Sequence, residues 1–329
     1  MNGVQRVFSI ARRQLTVIAA TLALVACHTP VNEPPPAPEL GSGYRSDLSP
    51  RYAERHMAAA VNPLAAEAGR EMLRQGGSAI DAAIAMQAVL TLVEPQSSGI
   101  GGGAFIMLWD GHTVHAYDGR ETAPDGATER LFLKADGQPM GFTAAQIGGR
   151  SVGTPGVLRA LEMAHKKSGH LPWARLFEPA IRLSEQGFAI SPRLHSLIAA
   201  DRFIPQSPEM AAYFLNADGT PKATGTRLKN PALAAVFKRI AKEGPDALYH
   251  GPIADEIARK VQGHRNAGSL SRRTLKPTWP KNVRRCVATT SAGKSVACRH
   301  RRRAGLPSRK SWARCRPWKP ATRAWPSRP

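Results

Sequence analysis

Acidic residues are missing from everything after Ser271. The 329-residue chain carries 46 Lys and Arg against 24 Asp and Glu, a net charge of +22. From Arg272 to Pro329 there are 18 Lys and Arg and no Asp or Glu, so the first 271 residues hold only +4. A basic surface spread over a fold would point to nucleic acid or an anionic membrane. Charge confined to one end excludes that reading for the body of the chain. Cysteine is scarce too: of four, Cys286, Cys298 and Cys315 fall in the basic stretch, where their spacing gives no paired zinc ligands. Aromatic residues make up 6 % of the chain, yet Trp279, Trp312, Trp318 and Trp325 also crowd there. Apolar runs are short. Only Leu15 to Val25 is uninterrupted, and it is too short to span a bilayer comfortably. Two compositions meet at about Ser271.

The N-terminus reads as a processing segment. Arg6, Arg12 and Arg13 precede the apolar run, which ends in Leu24-Val25-Ala26-Cys27. That ending matches a bacterial lipobox, with cleavage before Cys27 and diacylation of its sulfur. Residues 1–26 are then the signal, and 27–45, with Pro34-Pro35-Pro36, form an extended tether.

From residue 46 to 271 the pattern is that of a folded domain. Asn62-Pro63 opens a helix as cap and first turn, and Gly76-Gly77 closes it. Ser78 and Asp81 start a second helix through a capping-box variant, with Ile80, Ile84 and Ala88 on one face. Ala104 to Trp109 and Thr113 to Tyr117 are the arms of a hairpin turned by Asp110-Gly111. Helices are expected around Val157 to Lys167, Trp173 to Gly187, Pro231 to Gly244 and Ile253 to Val261. Hairpins and helices in separate blocks make this an α+β chain.

Three weaker patterns lead nowhere. Gly99-Ile100-Gly101-Gly102-Gly103 leads into a strand, whereas a dinucleotide fingerprint needs a strand before it and a helix after. Gly293-Lys294-Ser295 has Ala288 where a phosphate loop needs its first glycine. The histidines at 112, 115, 165, 170 and 195 are scattered, and no cofactor or metal is expected.

The blocks Asn62-Pro63-Leu64-Ala65, Gly76 to Ala83, Gly99 to Gly103, Asp118-Gly119-Arg120-Glu121-Thr122-Ala123-Pro124, Gly153-Thr154-Pro155-Gly156 and Gly244 to Gly251 stand in fixed order. Together they resemble the large-subunit part of the γ-glutamyltransferase (glutathione hydrolase) family. The resemblance implies an N-terminal-nucleophile αββα sandwich, of which this chain holds an incomplete part. It implies γ-glutamyl hydrolysis or transfer on glutathione and related small molecules, leaving the preference between the two open. It makes Arg120 the group that grips the substrate α-carboxylate, a task suited to the planar guanidinium fork. The bland alternative for Arg120 is a surface residue paired with Glu121 or Asp118. No catalytic residue is assigned, because the resemblance places the nucleophilic threonine in a small subunit. Thr289-Thr290 lies in the basic stretch and is followed by Ser291.

The stretch 272–329 reads as out of frame. Shifted by one base, the codons for Cys298 to Gly305 permit Met-Pro-Pro-Pro-Ser-Ser-Gly-Gly, a peptide the resemblance places near the end of the large subunit. A tail of this origin is expected to lack a stable fold. The sequence therefore implies a periplasmic chain held by lipid on Cys27 at the outer membrane. It binds γ-glutamyl compounds, no nucleic acid, and is inactive without the small subunit. The alternative is a lipid-anchored γ-glutamyl-binding protein without catalysis.

Overall fold

The computed structural model describes residues 52–275, together with the backbone of two strands at 285–290 and 293–298. The expected leader, the Pro-rich tether, Cys27 and most of the basic stretch lie outside the described residues.

Helix α1 (Pro63–Arg74) begins where Asn62 Oδ1 accepts the Leu64 N–H at 3.0 Å. Its chain breaks at Gly76, whose φ of 85° suits glycine. Helix α2 (Ala79–Val93) follows from a complete capping box: Ser78 Oγ accepts from Asp81 N at 3.1 Å, and Asp81 Oδ2 accepts from Ser78 N at 2.7 Å. The same Asp81 oxygen accepts the backbone N–H groups of His170 and Leu171, at 2.9 and 3.1 Å. One carboxylate thus caps a helix and pins a distant loop.

α2 is apolar nearly all round, which marks a helix buried on every side rather than on one stripe. Ile84, Ala85, Ala88 and Val89 have almost no exposed surface. α1, α4 (Val157–Ser168), the 3-10 turn Trp173–Phe177 and α5 (Glu178–Gln186) all pack against it. α8 (Pro231–Glu243) adds a further layer on α5, with Phe237 and Ile240 fully buried. Between them run α6 (Pro192–Ala200) and α7 (Pro208–Phe214), with the short pair β3 (Phe188–Ala189) and β4 (Arg227–Leu228). The helix expected from Trp173 starts instead at Glu178. Pro179 fits its first turn, and the preceding turn is tighter.

The hairpin pairs β1 (Ala104–Trp109) with β2 (Val114–Gly119), in register from Ala104 opposite Gly119 to Trp109 opposite Val114. At its tip Asp110 Oδ1 accepts from His112 N and Thr113 N, at 2.9 and 2.7 Å. The His112 N–H, the His115 ring and the Thr113 N–H, in that order, hold the Asp110 carboxyl well below the usual carboxylate range. α4 covers one face of this hairpin. All sheets among the described residues are two-stranded, so the α+β class holds. α3 (Phe142–Gln146), α9 (Asp246–Tyr249) and α10 (Gly251–Gly263) complete the body.

The chain stays ordered across Ser271. α11 (Arg272–Leu275) is a single turn with Thr274 and Leu275 buried, and Ser271 N donates to Thr274 Oγ1 at 2.7 Å. Beyond it β5 (Arg285–Thr290) and β6 (Gly293–Cys298) form an antiparallel pair. These pieces differ from the expectation of a tail without structure from residue 272 onward. The helical turn continues the body's packing through Leu270 and Leu275, which are both fully buried.

Candidate functional site

Three of the glycine-bearing blocks meet at the end of β2. The Gly102 carbonyl accepts the N–H groups of Gly156 and Val157, at 3.0 and 3.2 Å, so the glycine loop docks on the start of α4. Thr122 and Thr154 exchange backbone hydrogen bonds of 3.2 and 2.8 Å, tying the strand exit to the 153–156 turn. The fit is tight. A Cβ on Gly103 would lie 2.7 Å from the Glu121 N, the Glu121 carboxylate and the Gly119 carbonyl. A Cβ on Gly156 would meet the carbonyls of Gly119 and Arg120. Glycine is required here because backbones touch, not because of a special φ.

Arg120 leaves this junction toward solvent. Its side chain is 51 % exposed, its N–H donates to Asp118 Oδ1 at 3.0 Å, and its Nη1 lies 3.0 Å from Glu121 Oε2. That Glu121 oxygen is buried and takes no aligned hydrogen bond, so the guanidinium is its charge partner. The pairing foreseen as the bland alternative is present. A half-exposed pair of this kind is worth about 0–1 kcal/mol. It therefore holds the guanidinium at the junction while leaving it free to exchange Glu121 for a stronger, bidentate carboxylate.

The 153–156 turn is braced from behind. Tyr249 donates its hydroxyl to the Pro155 carbonyl at 2.9 Å, and burial pushes its phenol well above the ordinary range. The Arg159 guanidinium stacks 4.7 Å from the Tyr249 ring centre and pairs with Glu162 and Asp246. The sequence gave no role to Tyr249 or Arg159. Tyr249 stands inside the quoted 244–251 block, which is the one signal that pointed to it.

Other groups stand apart. A cleft of about 490 Å³ is lined by Tyr249, His250, Gly251, Arg272 and Arg273, without Arg120. Its arginines are engaged, Arg272 with Asp255 at 2.6 Å and Arg273 with Asp125 at 3.7 Å. Among the described residues no cluster of three or more His, Cys, Asp or Glu is placed to hold a metal ion. No described helix is long and apolar enough to cross a membrane. Thr289 and Thr290 stand at the turn end of β5, opposite Lys294 and Gly293.

Comparison with known proteins gives a consistent result. The family described as Gamma-glutamyltranspeptidase matches residues 65–287, so the likeness continues past Ser271. The glutathione hydrolase proenzyme of Bacillus subtilis is 38 % identical over 244 residues, covering 71 % of this chain and 41 % of that protein. The crystal structure of Helicobacter pylori gamma-glutamyltranspeptidase superposes with a TM-score of 0.69 at 28 % identity, over 76 % of this chain and 72 % of that one. The enzyme from Pseudomonas nitroreducens, complexed with L-DON, gives 0.68 at 27 % identity, over 75 % and 72 %. The chain spans about two fifths of the length of the full-length relatives it matches.

Proposed function

Because the chain belongs to the gamma-glutamyltranspeptidase family, we propose that it supplies the carboxylate-gripping half of a γ-glutamyl site, for glutathione and related γ-glutamyl compounds. One observation carries the reading. Arg120 emerges, half exposed, where the blocks 99–103, 118–122 and 153–156 interlock, with Glu121 holding its guanidinium in place. A substrate α-carboxylate displaces Glu121 and takes both prongs of the fork, a charge-assisted contact stronger than the pair it replaces.

The reaction itself needs a nucleophile that attacks the γ-amide, passing the acyl group to water or an amino acid. In the family resemblance this is the threonine of a small subunit, so in this reading the chain is inactive alone and acts with that subunit. The basic stretch is the product of a frame change near codon 271, which DNA sequencing across that codon tests directly. Lipid on Cys27 places the domain in the periplasm, at the outer membrane. A lipid-anchored binding protein without catalysis uses the same grip and differs only in lacking a catalytic partner.

Isothermal titration with glutathione tests the grip. Arg120→Lys, which keeps the charge but loses the fork, should weaken binding about tenfold, and Arg120→Ala by more. Unchanged affinity in both variants would remove Arg120 from the site.

A further inference from the structure

The hairpin is dressed on one side only. Ala104, Ile106 and Leu108 of β1 turn toward the core, where α4 covers the sheet. Phe105, Met107 and Trp109 alternate with them and stand 50, 52 and 61 % exposed. Their partners across the ladder are Asp118, Ala116 and Val114, so this face carries one charged group, at its Arg120 end. Among the described residues β1 pairs only with β2, and its outer edge has no strand beside it. The edge has none of the usual protections: Ala-Phe-Ile-Met-Leu-Trp holds no charge and no proline. Three large apolar side chains in one row on a bare strand mark an interaction surface rather than ordinary exposure.

We propose that the Phe105–Met107–Trp109 face, with the open edge of β1, docks the polypeptide that follows the matched region in full-length relatives. Two observations choose this occupant over a second copy of the chain. The relatives extend well beyond the two fifths that this chain spans, so a large partner of matching origin exists. The face also runs into Gly103, whose loop locks against Glu121 and α4, so whatever covers β1 lies beside Arg120. A second copy would cover the apolar row without bringing new chemistry to that site. The partner that fits is strand-forming, apolar on the facing side, and able to extend the ladder from β1. The proposal rests on the γ-glutamyl reading and names the surface through which that site is completed.

The test is co-expression of the tagged 329-residue chain with the part of the Bacillus subtilis proenzyme that follows its matched region. Recovery of a one-to-one complex is expected. Met107→Lys should cut recovery at least about tenfold, as loss of a central apolar anchor does, and Met107→Leu should restore it. Circular dichroism and slow exchange of the α1 and α2 amides report that the lysine variant is folded. Arg120→Lys should leave the complex intact while weakening glutathione binding, which separates failure of the docking surface from failure of the grip. No complex with the unaltered chain would overturn the proposal, as would equal recovery of the folded lysine variant. So would a dimer of the chain alone that Met107→Lys dissociates while the co-expressed partner stays unbound.

Discussion

Glu94, at the end of α2, has no exposed surface, and three side chains converge on its carboxylate. Asn62 Nδ2 donates to Oε1 at 2.8 Å; Gln96 Nε2 and the Arg193 guanidinium donate to Oε2 at 2.7 and 2.5 Å. Arg193 is itself only 4 % exposed. A buried charge survives only when it is both paired and hydrogen-bonded, and this one joins the cap of α1, the end of α2 and the start of α6. Removing one member should therefore cost far more than removing both. Glu94→Ala strips the buried guanidinium of its carboxylate and should lower stability by about 3–5 kcal/mol. The double change Glu94→Leu with Arg193→Met should cost less, because apolar pairs of similar volume replace buried ion pairs at little net loss. Urea denaturation midpoints decide the matter. A Glu94→Ala loss no larger than that of the double variant would mean the pair is not an energetic unit.

At the scale of elements, the glycine loop makes two opposite demands within three residues. A Cβ at Gly103 would sit 2.7 Å from backbone atoms of Glu121 and Gly119, neither of which can rotate away. A Cβ at Gly101 would meet nothing within 4 Å, and Gly101 does not have a positive φ. Gly103→Ala should thus cost about 1–3 kcal/mol by overpacking and shift Glu121, weakening glutathione binding with it. Gly101→Ala should be near neutral in both thermal unfolding and titration. Equal effects at the two positions would show that the loop does not lock the site. Much of this level was legible beforehand. Asn62, the Ser78–Asp81 box, the Asp110-Gly111 turn and the helices opening at Val157 and Pro231 rest on caps and turns read from neighbouring residues. α6 escaped notice although Ser191 and Pro192 form a cap and first turn of the same kind. Arg120 was singled out through its sequence block. The meeting of residues 102, 121 and 156 was not legible, nor was the bond between Tyr249 and Pro155, because pairings across such separations leave no local pattern.

At the scale of the molecule, a core built on one fully buried helix supports a hairpin whose outer face is bare and a carboxylate grip beside it. Binding and chemistry are separable in such an arrangement. A guanidinium that orients an α-carboxylate adds rate only when an activated nucleophile stands near the γ-carbonyl. Without one, orientation alone leaves the amide as stable as in water. The 329-residue chain should accordingly bind glutathione yet show no turnover of γ-glutamyl-p-nitroanilide above the buffer rate. Addition of the relative's remaining polypeptide during folding should raise the rate, and Arg120→Ala should abolish that gain. The decisive control is L-DON, the compound held in the Pseudomonas nitroreducens structure. Turnover by the purified chain alone that L-DON abolishes would place a nucleophile within these residues, and the division of labour argued for Arg120 would have to be redrawn.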